Sequence, residues 1–295
     1  MPLTLTPCIP LSADYAQGLL PLRHKAAHKG QFGSLAVIGG SDGMLGALML
    51  ASRAALLSGS GRVFAVSLAS QPPVVDINTP EVMYRDIDWL HDETKPVTAY
   101  VIGPGLGLSL RALDCLTFCL QQPLPVLLDA DALNLIALHP DLQTMLQQRT
   151  AATVITPHPA EAQRLLNQTV DYIQLQRAAS ARLLAQRFNA VCVLKGSGSL
   201  IAPAASDDDD RCFINTSGNV GLASGGTGDV LSGIIGSLMA QGLSCMNAAK
   251  LGVYVHGAAA DALVASGIGP IGLTASEVGL TARQVLNQLY AAQYG

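Results

Sequence analysis

Asn215-Thr216-Ser217-Gly218-Asn219-Val220-Gly221-Leu222-Ala223-Ser224-Gly225-Gly226-Thr227-Gly228-Asp229, running on through Val230 to Gly242, is the stretch from which the rest of the chain is read. A glycine-dense segment ends in an acid and then becomes an apolar run. Val230, Leu231, Ile234, Ile235, Leu238 and Met239 recur at the i, i+1, i+4, i+5 spacing of one buried helical face. The loop Ser224–Gly228 therefore stands at a helix N-terminus, where unpaired backbone amides and the positive end of the dipole attract an anion. Glycines there let the backbone approach a phosphate with no Cβ in the way. Asp229 is the odd member, because a carboxylate repels the phosphate such a loop binds. It reads either as an N-cap that satisfies a helix amide, or as a base facing a hydroxyl about to meet a phosphoryl group.

Working outward, apolar runs alternate with helical patterns. Ser34–Ile38 is a short strand, and Gly39–Ala47 turns into a helix through about Ser58, the first βα unit of a parallel sheet. That turn lacks the Gly-x-Gly-x-x-Gly spacing of a dinucleotide fingerprint, and no Gly-Lys dipeptide supplies a Walker A loop. Arg62–Leu68, Val97–Ile102, Pro125–Leu128, Thr153–Ile155 and Ala190–Leu194 continue the strands, and Tyr172–Phe188 reads as one helix. Leu200–Ala202 and Arg211–Ile214 form a hairpin whose tip is Asp207–Asp210, a solvated acidic turn without the pattern of a Ca²⁺ loop. Met246–Gly267 and Thr274–Ala292 close the chain as helices. The expected architecture is α/β, a mostly parallel central sheet with helices on both faces. Residues 1–22, broken by Pro2, Pro10 and Pro21, read as an extended N-terminal arm packing on a neighbour, and 23–295 as a single domain.

Composition narrows the classes. A hydrophobic content of 49% over 295 residues suffices for a large core, and 13% charged residues with abundant glycine suit a Gly-loop enzyme. A net charge of −4 gives no electrostatic case for nucleic acid or an anionic membrane, so an anionic ligand must be held by local loops and dipoles. The six scattered cysteines lack metal-ligand spacing and read as reduced thiols of a cytoplasmic protein. The N-terminus is not a signal peptide, and no run suggests a membrane span. Homo-oligomerisation is expected from the hydrophobic content and the arm.

Strand exits carry the remaining candidates, since ligands of open α/β sheets bind at the carboxyl ends of strands. Gly103-Pro104-Gly105-Leu106-Gly107 is a floor for substrate or a tight turn. In Thr156-Pro157-His158-Pro159-Ala160-Glu161, Glu161 is an ordinary first-turn acid, whereas His158 between two prolines favours a ligand contact.

These motifs, with His28-Lys29-Gly30, Ile38-Gly39-Gly40, Gly46-Ala47, Asp129-Ala130-Asp131-Ala132-Leu133-Asn134, Leu194-Lys195-Gly196 and Gly225-Gly226-Thr227-Gly228-Asp229, in this order from about residue 24 to the C-terminus, resemble the ADP/ATP-dependent NAD(P)H-hydrate dehydratases. The resemblance implies a ribokinase-like three-layer sandwich and a stand-alone dehydratase. The implied substrates are (6S)-hydrated NADH or NADPH (NADHX and NADPHX), with ADP or ATP as co-substrate and Mg²⁺ as cofactor. It implies that Ala47, Gly107, His158 and Asp229 contact the hydrated dinucleotide, and that Lys195, Gly196, Ser197, Gly198, Ser199 and Gly228 hold the adenine nucleotide. Gly225, Gly226, Thr227 and Gly228 would form the anion hole, Asp229 would be the catalytic base, and Glu161 would reach the metal through water. A small-molecule kinase of the same superfamily, or a non-enzymatic nucleotide-binding protein, remain as alternatives.

Overall fold

The strands of the computed structural model, which describes residues 7–207 and 209–295, are β1 Ile9–Leu11, β2 Ser34–Gly39, β3 Arg62–Ser67, β4 Val82–Arg85, β5 Ala99–Ile102, β6 Val126–Leu128, β7 Thr153–Ile155, β8 Val191–Leu194, β9 Leu200–Ala202 and β10 Phe213–Asn215. The helices are α1 Ala13–Gln17, α2 Leu45–Leu57, α3 Leu110–Gln121, α4 Asp131–Leu138, α5 Pro140–Gln147, α6 Pro159–Leu166, α7 Val170–Leu175, α8 Arg177–Phe188, α9 Thr227–Ala240, α10 Cys245–Ala265 and α11 Ala275–Tyr294. Residues 1–6 of the N-terminal segment and Asp208 of the acidic tip lie outside the described residues.

One sheet runs in the order β1-β10-β9-β8-β7-β6-β5-β2-β3-β4. The pairings from β8 to β4 are parallel, and β9 is antiparallel to both β8 and β10. Alternation at period two decides the layers. Leu35, Val37, Val101, Leu127 and Val193 face α2, α9, α10 and α11. Ala36, Ile38, Ile102, Leu128 and Leu194 face α3, α4, α6 and α8 on the other side. Both faces are covered, which is why the central strands read as continuous apolar runs rather than alternating ones. The α/β sandwich expected from the strand–helix alternation is the architecture found.

Three departures have physical causes. The segment read as an extended arm contributes a strand to this chain's own sheet, with Ile9–Leu11 parallel to Phe213–Asn215. Leu11, Ala16 and Leu20 are buried beneath it, and Tyr15 packs on Phe213 at 5.3 Å. The stretch read as one helix from Tyr172 breaks at Gln176, whose ψ of 42° leaves the helical region, so α7 and α8 are separate. The edge strand β4 was not anticipated, because its four residues alternate between buried and half-buried positions and pair only with β3. At the acidic tip, Asp209 forms a surface ion pair with Arg211 at 2.7 Å.

Helix α9 is held in place from two directions. A Cβ at Gly233 would stand 2.1 Å from the Ala51 carbonyl oxygen, so the backbones of α9 and α2 meet without side chains between them. On the sheet side, Gly236 sits against Val101 and Leu35. Helix propensity alone favours alanine over glycine at an interior position by about 1 kcal/mol. Close packing against backbone reverses the sign at Gly233, since overpacking costs about 1–3 kcal/mol. Gly233→Ala is therefore expected to lower the Tm in thermal denaturation; an unchanged or raised Tm would show that α9 and α2 have room to separate.

Candidate active site

The carboxyl ends of β6, β7 and β8 converge with the N-terminus of α9. Lys195, at the exit of β8, places its Nζ 2.6 Å from Oδ1 of buried Asp129, at the exit of β6, and 3.9 Å from Oε2 of buried Glu161. The Ser232 hydroxyl, one turn into α9 from Asp229, donates to the other Asp129 oxygen at 2.7 Å. Burial alone would raise the Asp129 pKa, but Lys195, Ser232 and Thr156 together bring it below the ordinary carboxylate value. Burial likewise disfavours the Lys195 ammonium, and Asp129 and Glu161 more than restore it. Ala130, between Asp129 and Asp131, adopts φ 47° and ψ −117°, a conformation that costs a non-glycine residue about 1–3 kcal/mol. The turn sends Asp129 toward Lys195 while Asp131 accepts the Gly107 amide at 2.9 Å.

His158 and Glu161 close a capping box at the start of α6. The His158 amide donates to Glu161 Oε2 at 2.8 Å, and the Ala160 amide donates to His158 Nδ1 at 3.1 Å. With Nδ1 accepting, the proton belongs on Nε2, which lies 3.2 Å from Glu161 Oε1. Burial and the nearby Lys195 charge hold the His158 pKa below its ordinary value. Glu161 is pushed up to about 7, chiefly by burial, with Asp129 adding to the shift and Lys195 opposing it. His158 thus caps a helix while its ring remains half-exposed at the site.

The glycine loop is a cluster of amides. Gly226 is the N-cap of α9, in the left-handed region at φ 86°, where a Cβ would also meet the Leu50 side chain at 2.4 Å. Asp229 is therefore the third helical residue and not the cap. The amides of Gly225, Gly226, Thr227, Gly228 and Asp229 have no acceptor among the described residues. The Thr227 hydroxyl turns inward to the carbonyls of Leu222 and Ser224, at 2.9 and 3.0 Å, so Thr227 offers an anion its backbone only. Beneath the loop, buried His256 lies 2.9 Å from the Thr227 carbonyl through Nε2, and burial lowers its pKa to about 4. It is a neutral donor that fixes the first turn.

Among the described residues no group donates a hydrogen bond to the Asp229 carboxylate. Its pKa is pushed up to about 7 by burial first and by the Asp129 charge second, with Lys195 opposing. Lys195 also stands beside the loop, 3.6 Å from where a Gly228 Cβ would lie. A cavity of about 580 Å³ opens on the β8 side of this junction and is lined by Lys195–Ser199, Asn215–Val220, Thr227, Gly228 and His256. Every residue assigned to the nucleotide borders it. Gly107 and His158 do not line it, and they connect to the same polar cluster through Asp131 and Glu161. Ala47 lies at the start of α2, where the Gly105 backbone approaches its Cβ. A second cavity, about 650 Å³ between α2 and α11, contains none of the candidate residues.

Ser232, His256 and the separate roles of Asp129 and Asp131 escaped the sequence reading. Asp129 and Asp131 were visible only as a motif, and Ser232 and His256 sit inside apolar helices with no local sign of a polar partner.

All six cysteines are free, and no helix among the described residues is long and apolar enough to cross a membrane. No group of three metal-ligating side chains exists among the described residues. Asp129, Glu161 and Asp229 share the nearby ammonium of Lys195 and do not converge as a metal cage, so a hard cation here would be held largely by phosphate and water.

A protein-family model described as NAD(P)H-hydrate dehydratase matches residues 35–278. An ADP-dependent (S)-NAD(P)H-hydrate dehydratase of Neisseria meningitidis is 42% identical over 270 residues, covering 90% of this chain and 89% of the relative. A bifunctional NAD(P)H-hydrate repair enzyme of Coxiella burnetii is 40% identical over 264 residues, and the match spans 51% of its length. A crystal structure of the ADP/ATP-dependent NAD(P)H-hydrate dehydratase of Bacillus subtilis, co-crystallised with ATP and Mg²⁺, superposes with a TM-score of 0.80 at 29% identity. It covers 96% of this chain and 99% of its own.

The raised Asp229 pKa has a consequence for stability. Between its ordinary value of 3.8, which holds in the unfolded chain, and its folded value of about 7, the folded state binds the extra proton. Stability from this group is therefore full below the unfolded pKa and is lost as pH rises through the folded one. Asp229→Asn should raise the Tm relative to wild type at pH values above about 7 and less so in acid. An equal difference at both ends of that range would mean the carboxylate is not desolvated.

Proposed function

The chain belongs to the NAD(P)H-hydrate dehydratase family, and from that premise we propose that it returns (6S)-hydrated NADH and NADPH to the dihydronicotinamide form in a nucleotide-dependent dehydration. The observation that carries the mechanism is the Asp229 carboxylate, free of hydrogen bonds, in the first turn of α9 beside unpaired amides and the cavity edged by Lys195–Ser199.

The hydrated ring carries a hydroxyl at C6, and hydroxide is a poor leaving group. ADP (or ATP) in the cavity donates its terminal phosphoryl group to that oxygen, leaving AMP (or ADP). Asp229 takes the hydroxyl proton as the new O–P bond forms; a base with a pKa near the working pH suits that task. The amides of Gly225–Gly228 and the Lys195 ammonium stabilise charge on the transferring group. The ring nitrogen lone pair then expels phosphate by breaking the C6–O bond, and loss of the C5 proton restores the double bond.

Ala47, Gly107 and His158 position the dinucleotide. His158 does so from a ring oriented by its Nδ1 hydrogen bond and by Glu161. Mg²⁺, reached by Glu161 through water, would screen charge between the phosphate oxygens. Direct ligation by Glu161 would first require displacing its contacts with the His158 amide and ring. The reading includes ADP as the preferred donor, the cytoplasm as the compartment and a homo-oligomer as the working form.

The test is the near-ultraviolet absorbance of NADH after mixing the protein with hydrated NADH, Mg²⁺ and either nucleotide. Absorbance should return only with nucleotide present. Asp229→Asn should lose roughly 10²–10⁴-fold in turnover with little change in nucleotide affinity. In the wild type, kcat/KM should rise as pH is raised through about 7, because the ionised carboxylate is the active form, and the variant should lose that limb. Near-normal turnover of Asp229→Asn would remove the base. A stable phosphorylated alcohol in place of NADH would make the protein a kinase.

A further inference from the structure

Helix α8 starts immediately after the break at Gln176, and its first residue, Arg177, reaches the back of the loop that edges the 580 Å³ cavity. Its Nη2 donates to the carbonyls of Leu194 at 3.2 Å, Lys195 at 3.4 Å and Gly198 at 3.1 Å. Its Nη1 donates to the Lys195 carbonyl at 3.4 Å and to Gln174 Oε1 at 3.3 Å. The guanidinium lies so close behind the loop that a Cβ at Gly196 would stand 2.8 Å from Nη1.

The loop's other carbonyls are largely engaged as well. Gly196 accepts from the Ser199 hydroxyl at 3.2 Å, and Ser199 accepts from the Asn215 amide at 2.9 Å. The amides of Gly196, Ser197, Gly198 and Ser199 have no acceptor among the described residues. Every backbone amide needs a partner, in the protein, in water or in a ligand. The N–H and C=O of one peptide unit point in opposite directions, so the Lys195 and Gly198 carbonyls, drawn back toward Arg177, leave the amides of Gly196 and Ser199 facing away from it. The partner of the Leu194 carbonyl, the Lys195 amide, donates to the Pro157 carbonyl at 2.9 Å. Gly196–Ser199 line the cavity.

We propose that Arg177 is a positioning residue for the nucleotide: by holding the carbonyls of Lys195 and Gly198, with that of Leu194 as an anchor, it aims the amides of Gly196 and Ser199 and shapes the loop between them into a cradle for the phosphate oxygens of a nucleoside diphosphate. Arg177 does not touch the ligand. It acts through the loop, and its charge adds a positive potential behind the amides. Arginine suits the task because a planar fork reaches several carbonyls at once, whereas lysine presents a compact point charge. The proposal rests on the reading of Lys195–Ser199 as the nucleotide site.

The experiment compares Arg177→Met, Arg177→Lys and Ser197→Asp. The last puts a carboxylate into the loop itself and so tests that reading independently. ADP binding is measured by calorimetry, and kcat and both KM values by the absorbance assay. For Arg177→Met, the Kd and KM for ADP should rise roughly 10- to 100-fold, the loss expected when hydrogen bonds from a charged donor are removed. Turnover at saturating ADP, the KM for hydrated NADH and the Tm should stay near wild type. Arg177→Lys should recover part of the ADP affinity, and Ser197→Asp should weaken ADP.

Unchanged ADP affinity in Arg177→Met beside a weakened Ser197→Asp would overturn the role of Arg177 and leave the loop as the nucleotide site. Unchanged affinity in both would remove the loop from the nucleotide site, and the proposal with it. If both Arg177 variants lose Tm, turnover and both affinities together, Arg177 is a scaffold residue and the proposal fails.

Discussion

The ammonium of Lys195 is the charge around which the carboxyl edge of the sheet is arranged. It lies 2.6 Å from Asp129 and 3.9 Å from Glu161, and Asp229 also feels it. One cation cannot neutralise all of these carboxylates once water is excluded, so proximity decides which of them ionises readily. Asp129, in direct contact, is held below the ordinary range; Glu161 and Asp229 are pushed up to about 7. Titratable neighbours driven apart in this way are what a division between a fixed counter-ion and the proposed base would require. The pair also has a mechanical side. Removing one partner of a buried ion pair costs about 3–5 kcal/mol, because the other is left uncompensated. Here the Asp129 partner set also includes Ser232, so the pair ties β6 and β8 to α9.

Asp229 sits in tension with its own helix. The positive end of a dipole favours a carboxylate in the first turn, by about 0.3–1 kcal/mol at an exposed site. That effect favours the ionised form, whereas burial and the Asp129 charge act against it and push the Asp229 pKa up. In the proposed mechanism the dipole and amides serve a phosphoryl group while Asp229 accepts a proton. A cap would have spent the carboxylate on an amide; with Gly226 in the cap position, it is left unpaired.

Much of the fold was readable because its strands are buried on both faces. Thr153–Ile155 was delimited to the residue, and β2, β3 and β8 to within a residue or two, since a short apolar run between turn residues has few other fates. The N-terminal strand was not, because three residues interrupted by Pro10 carry no periodicity, and β1 exists only through pairing with a strand about 200 residues later. The glycine loop and Asp229 were readable for local reasons. The supports around them were not: Lys195 and Asp129 are 66 residues apart, and Ser232 and Asp129 are 103 apart. The break at Gln176 carries neither glycine nor proline, so the turn that frees Arg177 left no mark in the local pattern.

The chain's net charge of −4 poses the remaining question of how it would hold a nucleoside phosphate beside several carboxylates. No basic surface is required if the positive potential is built from oriented peptide groups and a few buried cations. Two loops do this by different means. Around Gly225–Gly228 the potential comes from the end of α9, with neutral His256 fixing the turn. Around Gly196–Ser199 it comes from free amides, of which those of Gly196 and Ser199 share peptide units with carbonyls held by Arg177. Lys195 stands between the two, beside Gly228 and lining the cavity. A phosphate chain spanning from one loop to the other would thus meet amides at both ends and an ammonium between them. Because most of that potential is fixed in backbone geometry, it needs little reorganisation as charge moves along the chain, and that is the condition under which electrostatic stabilisation of a transferring group is most effective.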